Sequence, residues 1–327
     1  MKRIAAFMFI VLSSISVGAS VLYVDILRPT NPSQNLYHTI AEAYAASIAG
    51  DEIVIYPGSY YEYTTISKDL TIRGNTQNST KIITNEVDGF RISGGNVVIQ
   101  DIVFQTQGAN GIYCSSSAST PLIKNCLFEN CTNGINTVAN LHINISNCVF
   151  RNCSKGIYFY GNVNISNIVN CIFTSNTYGV YIGAAGSGYS NYVNVYNSLF
   201  HSNGTGINRA YANYYGFIAY NIFYTNTTNT NSVTLLEGNL LSVDPMLTNI
   251  TGIPYYSYFP NNGSPCIDAG NPDISFNDSD GSRNDIGIFG GPNPWGGGKP
   301  VVLGIEVTPN SVAPGGVINI QASGQVK

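Results

Sequence analysis

The acidic side chains of this chain are so unevenly placed that they restrict its chemistry at once. No Asp or Glu occurs between Asn130 and Leu236. Glycosidic hydrolysis needs paired carboxylates, and a calcium site needs several oxygen ligands, acidic ones above all. The middle of the chain can supply neither pattern. Its ionisable side chains are Arg151, Lys155, Arg209, His142 and His201, beside many tyrosines. Neither histidine has a carboxylate expected beside it to orient a base, so each reads as a lone surface residue. Asp88, Asp101 and Glu129 precede the acid-free span. Asp268, Asp273, Asp278, Asp280 and Asp285 follow it. The run Asn277-Asp278-Ser279-Asp280-Gly281 resembles part of a calcium loop, although it fails the EF-hand register. A structural calcium at Asp278, Asp280 and Asp285 is one reading, and no other cofactor is required. The other reading is that Arg283, standing among these Asp residues, ties this segment to the last repeat. Tyrosine is the remaining chemical resource, with 23 copies. Tyr113, Tyr158, Tyr181, Tyr189 and Tyr192 are the candidates for contacting sugar rings. Aromatic faces beside amides and hydroxyls suit apolar C–H faces with hydroxyl rims. Stacking of these rings on one another for stability is the competing reading.

The elements that must position these side chains are repeats. The segments IQDIVF, IKNCLF, ISNCVF, IVNCIF, VYNSLF and IAYNIF end at Phe104, Phe128, Phe150, Phe173, Phe200 and Phe223. Each carries Ile or Val five positions before its Phe and an aliphatic residue just before it. A period of this length marks units that bury their apolar face only by stacking on the next. Helical repeats and propeller blades are longer. The chain has 34 Gly and only 10% charged residues, and it is rich in Ile, Tyr, Asn, Ser and Thr. Such residues favour strands joined by bends. The fold class is therefore all-β, a parallel β-helix. Asp101, Asn125, Asn147, Asn170 and Asn197, three positions before each Phe, are expected at a bend, where their amides could stack as a ladder. The glycines of Gly111-Ile112, Gly134-Ile135, Gly156-Ile157, Gly179-Val180 and Gly206-Ile207 are expected to supply a turn dihedral. Glu129 and Arg151 fall in one column and read as a surface ion pair.

Residues 1–19 read as a signal peptide, with Lys2 and Arg3 before a short apolar run and small residues ending at Ala19. The mature chain is then secreted or at the cell surface, without membrane insertion. A net charge of −4 with no basic run argues against nucleic-acid partners. A monomer is expected. Cys126, Cys148 and Cys171 share one column, and Cys131 and Cys153 another. Rung-to-rung bridges and packed free thiols both fit such columns, with packing favoured. Thr39–Ala49 reads as a short helix closed by Gly50, laid over the first rung. Residues 20–291 form the β-helix domain, 292–300 a Gly/Pro linker, and 301–327 a short β-rich tail or the start of a further module.

The segment TIAEAYAASIAGDEIVIYPGSYYE with LTIRG (70–74) resembles the opening of secreted right-handed parallel β-helix proteins with the pectin-lyase-like fold. SVDPML (242–247) and SPCIDAGNPD with NDSDGSRNDIGIFGG (264–291) resemble their closing segment. The resemblance implies a right-handed helix and export. It does not imply one activity, since the family includes lyases, hydrolases, epimerases and adhesins. The expectation is a scaffold that binds extracellular or cell-surface polysaccharide without cleaving it. The alternatives are a lyase or hydrolase whose site lies toward one end, at Asp88, Asp101 and Glu129 or at Asp273–Asp285, and a structural stalk or adhesin.

Overall fold

The computed structural model describes residues 18–295 except 78, 117–118, 139–140, 162, 184–189, 211–212 and 250–256, and also the strands at 301–308 and 319–325. Three parallel sheets of 11, 9 and 8 strands wind round one core. A typical rung runs Leu122–Lys124 in the first sheet, Leu127–Glu129 in the second and Asn133–Thr137 in the third. It then returns to the first sheet at Asn144–Ser146. The register is kept from rung to rung: Phe104 pairs with Phe128, and Phe128 with Phe150.

The Phe column is the spine of the core. From Phe104 to Phe223 successive rings stack at 4.7–5.0 Å, with planes within 8°. That spacing is the strand spacing of a sheet, so each ring stays in contact with the ones on either side. All six rings are fully buried.

The column three positions before each Phe is indeed a bend. Asp101, Asn125, Asn147, Asn170 and Asn197 have φ between 50° and 62°. Asn tolerates this left-handed backbone better than most residues. A second left-handed bend follows each Phe from Phe128 to Phe223, at Asn130, Asn152, Ser175, Ser202 and Thr225.

The glycines of the Gly-Ile pairs do not have turn dihedrals. They lie within strands of the third sheet, and none has positive φ. Their role is close approach. A Cβ on Gly111, Gly134, Gly156, Gly179 or Gly206 would come within 2.5–2.6 Å of the backbone oxygen one rung on. It would also press on the Phe ring of that rung.

The cysteines are free and buried, as the packing reading expected. Their columns continue as amides. Cys131 and Cys153 are followed at the same position by Asn176, Asn203 and Asn226. Cys131 and Cys153 direct Sγ at the carbonyls of Phe104 (3.6 Å) and Phe128 (3.8 Å). Asn176, Asn203 and Asn226 donate from Nδ2 to the carbonyls of Phe150, Phe173 and Phe200 at 2.9–3.0 Å. The amide rungs are also linked side chain to side chain, Asn176 to Asn203 and Asn203 to Asn226. A thiol or an amide thus serves the same inner corner.

The opening of the solenoid is covered by one helix, Ile40–Ala46, which buries Ile40 and Ala43. It is shorter than the sequence suggested. Ser47, in extended conformation, terminates it, and Gly50 turns the chain after it with φ 95°. Its start is a capping box between Thr39 and Glu42. Residues Val301–Thr308 and Asn319–Gln325 pair as an antiparallel hairpin. Among the described residues no helix is long and apolar enough to cross a membrane.

Candidate functional site

The three outer faces differ in what covers them. The aliphatic residue before each Phe points outward from the second sheet. Val103, Leu127, Val149, Ile172, Leu199 and Ile222 there form a second apolar cluster with Tyr258, Phe259, Ile286, Ile288, Phe289 and Trp295. The closing segment thus lies along the second sheet, and its packing runs past Gly291 to Trp295. The bend asparagines hold it. Asn147 donates to the carbonyls of Ile288 and Gly290, both at 2.9 Å. Asn170 donates to those of Asp285 (2.7 Å) and Gly287 (2.9 Å), and Asn197 accepts from the Asn271 N–H (2.7 Å). From Asn147 to Asn197 this column does not form the expected ladder, because these amides bond the closing segment instead. Ladders occur elsewhere, as at Asn144–Asn167–Asn194.

The same covering alters three charged positions. Arg151 reaches Glu129 at 2.7 Å, and their side chains are only 12% and 16% exposed, so the pair is not a surface one. Gln105 donates to the other Glu129 oxygen at 3.0 Å. Tyr258 of the closing segment adjoins Arg151, and burial first of all pushes its hydroxyl pKa up. His201, two rungs beyond Arg151, is 8% exposed rather than superficial. Its Nδ1 meets Thr174 Oγ1 at 3.2 Å, and burial holds its pKa below the usual imidazole value. His142 is exposed, with Nδ1 at 3.0 Å from the Ile165 carbonyl oxygen.

The acidic candidates do not converge. Asp88 accepts from Asn110 and pairs with Arg91. Asp101 sits in a bend, and burial raises its pKa. Glu129 is committed to Arg151 and Gln105. In the closing segment, Asp278 accepts from the N–H of Gly291 (2.6 Å) and Asp285 (3.2 Å). Asp280 accepts from Ser282, and Asp285 accepts from the Asp268 N–H. Each carboxylate shapes its own stretch of backbone, and among the described residues no three acidic, His or Cys side chains gather as a metal site. Arg283 does tie the segment down, but not through carboxylates. It donates to the Gly270 carbonyl at 2.7 Å and lies over the Tyr220 ring.

The third sheet presents a different outer face. One column runs Arg91, Tyr113, Asn136, Tyr158, Tyr181, Asn208 and Asn231. The column beside it runs Asn110, Asn133, Lys155, Tyr178 and Thr205. Tyr158 and Tyr181 meet edge to face at 5.3 Å, and Tyr178 meets Tyr181 at 4.9 Å. Tyr160 adds a fourth ring, 5.6 Å from Tyr158. Lys155 Nζ lies 4.9 Å from the Tyr158 ring and 5.3 Å from that of Tyr181. Arg91 lies over Tyr113 at 4.5 Å. Burial lowers the Lys155 pKa and raises that of the Tyr158 hydroxyl.

The structure therefore brings Tyr158 and Tyr181 together and leaves Tyr113 in the same column, two rungs earlier. Tyr192 lies on the first sheet instead, stacked on Tyr215 at 5.2 Å. Tyr189 lies outside the described residues. Lys155, Tyr160 and Tyr178 join the cluster without having been among the sugar candidates. The signal was available, since Lys155 and Tyr178 both stand just before a Gly-Ile or Gly-Val pair.

Residues 35–190 match the family described as the right-handed β-helix region. No curated protein matches the chain in sequence. Among solved structures it is similar to the ORF18 protein of Geobacillus virus E2, at 14% identity and a TM-score of 0.45, over 59% of this chain and 50% of that one. It is also similar to the A-module of the mannuronan C-5 epimerase AlgE4 of Azotobacter vinelandii, at 12% identity and a TM-score of 0.38, over 65% and 84%. A pectin methylesterase from carrot is similar at 16% identity and a TM-score of 0.29, over 71% and 91%. The chain thus spans half the length of the viral protein. Likeness of this degree says nothing about activity.

Proposed function

We propose that this parallel β-helix, whose residues 35–190 match the right-handed β-helix region, is an exported scaffold that binds extracellular or cell-surface polysaccharide on its third sheet without cleaving it. One observation carries this reading: the Tyr158–Tyr178–Tyr181 cluster with Lys155 lies on rungs that contain no carboxylate. Rings and neighbouring amides offer what a sugar needs for binding, apolar faces and hydrogen-bonding groups. The same rungs lack the acid and base that hydrolysis needs. The cation beside the rings on this face, Lys155, favours a glycan that carries carboxylates, and the strand spacing sets successive rungs about 4.8 Å apart along it. The reading of residues 1–19 as a signal peptide, of which 1–17 lie outside the described residues, supports export.

The test is a screen of the mature chain on a glycan panel that includes hexagalacturonate and oligomannuronate, scored for retention and for new reducing or unsaturated ends. The expected result is retention without cleavage, weakened at least tenfold by Tyr158→Ala/Tyr181→Ala. New chain ends would establish an enzyme instead. No retention at all would leave a structural stalk.

A further inference from the structure

A cleft of about 720 Å³ opens on the other side of the molecule's first rungs, between the loop carrying Tyr61 and Tyr63 and the outer face of the second sheet. The closing segment packs along the later rungs of that sheet, from Val103 onward. The cleft is within the range of about 300–1,000 Å³ usual for small-molecule sites. Its walls are of two kinds. Tyr61 and Tyr63 are 76% and 56% exposed and Val87 is 48% exposed, while the adjacent Tyr60 is buried. The lining also holds the side-chain amides of Asn85, Gln105, Gln107 and Asn130. Gln105 is fixed from behind, since its Nε2 donates to Glu129, which Arg151 holds in turn.

Charge narrows the occupant. Among the described residues the one ionisable side chain in the lining besides the tyrosines is Glu62. Its two oxygens accept from the N–H groups of Ile40 (2.9 Å) and Ala41 (3.1 Å) at the start of the helix. Among the described residues no Lys or Arg lines the cleft. A uronate would meet a carboxylate there and no cation. An apolar ligand without hydrogen-bonding groups would cover four amides without pairing them, which is costly. A neutral sugar ring matches both walls, stacking on exposed tyrosine and bonding amides through its hydroxyls.

We propose that this cleft is a second saccharide site that takes a neutral oligosaccharide, an inference that rests on the reading of the protein as a polysaccharide binder. The third sheet, with Lys155, then takes acidic residues, and the cleft takes uncharged ones.

The experiment is calorimetric titration of the mature chain with cellohexaose, xylohexaose and mannohexaose, with hexagalacturonate in parallel. Tyr61 and Tyr63 are exposed, so Tyr61→Ala/Tyr63→Ala should leave the fold intact, as an unchanged thermal midpoint would verify. Tyr61→Phe/Tyr63→Phe keeps the rings. The expected result is that at least one neutral hexasaccharide binds. The Ala pair should weaken it at least tenfold, the Phe pair less than threefold, and Tyr158→Ala/Tyr181→Ala not at all. Failure of all three neutral sugars overturns the proposal. So does neutral binding lost in Tyr158→Ala/Tyr181→Ala and kept in Tyr61→Ala/Tyr63→Ala, which would leave the third-sheet reading standing. Hexagalacturonate binding that only the Tyr61/Tyr63 pair removes overturns both charge assignments. Loss of hexagalacturonate binding alone in Tyr158→Ala/Tyr181→Ala supports the third-sheet reading independently.

Discussion

Asn170 donates its side-chain amide to the backbone carbonyls of Asp285 at 2.7 Å and Gly287 at 2.9 Å, joining a bend in the middle of the solenoid to a strap that arrives more than a hundred residues later. The same Nδ2 approaches Asn284 Oδ1 at 3.0 Å, and Asn170 is almost wholly buried. Each such bond contributes about 1 kcal/mol, and a buried carbonyl left unpaired costs about 1–3 kcal/mol.

Asn170→Gly should therefore loosen the strap. Glycine adopts the left-handed bend freely, so the loss reads the amide and not the backbone. The expected destabilisation is about 2–4 kcal/mol, measured by chemical denaturation. Amide exchange should quicken at Ile286–Gly291 while the Phe column stays protected. Equal quickening throughout would show that strap and core open as one unit.

Gly134→Ala tests close approach against turn geometry. A Cβ there would stand 2.6 Å from the Gly156 carbonyl oxygen and 2.6 Å from the Phe150 ring. Backbone on one side and a packed ring on the other leave little room to yield, so a loss of at least about 3 kcal/mol is expected. A thermal midpoint within a degree or two of the parent would refute this account.

The shared corner of thiols and amides predicts that Cys153→Asn is tolerated. The new amide can donate to the Phe128 carbonyl, as Asn176 does to that of Phe150. Cys153→Leu places extra volume in the same corner and should cost about 1–3 kcal/mol. Comparing the denaturation midpoints of the two variants checks the ranking. Because the thiols are free, a reducing agent should leave the parent's midpoint unchanged.

His201 should make stability fall on mild acidification. Burial lowers its folded pKa below the unfolded value, so below about 6.5 the unfolded chain takes up a proton that the folded chain resists. Stability is retained above the unfolded pKa and declines as pH drops toward the folded one. Asp244 nearby partly offsets the shift. His201→Asn should flatten this slope relative to the parent between pH 7 and 5, followed by denaturation at each pH. Parallel slopes in the two proteins would exclude the residue as the cause.

Much of the site was legible in the residues and some was not. Tyr158 and Tyr181 share a column because each follows a Gly-Ile or Gly-Val pair, and a fixed register makes that a vertical contact. Tyr192 follows no such pair, and it lies on the first sheet against Tyr215. Its position depends on the length of the return segment to the first sheet, which varies between rungs. Glu129, Arg151 and His201 were rightly placed in one column but wrongly placed at the surface. Column membership says which residues are neighbours along the solenoid, not what packs over them. Tyr61 and Tyr63 precede the regular repeats, so no column included them.

The sequence by itself determined the rung, the left-handed bend three positions before Phe, the stacked Phe core and the lack of carboxylates in the middle, because each is a local preference repeated at fixed register. Only the tertiary structure decided which outer face is closed. The aliphatic stripe of Val103, Leu127, Val149, Ile172, Leu199 and Ile222 is visible in the sequence, but its covering comes from a distant, non-repeating segment clamped by bend asparagines. That contact has no period to be read from, and it leaves the third sheet and the cleft at Tyr61 and Tyr63 as the surfaces proposed here for sugars.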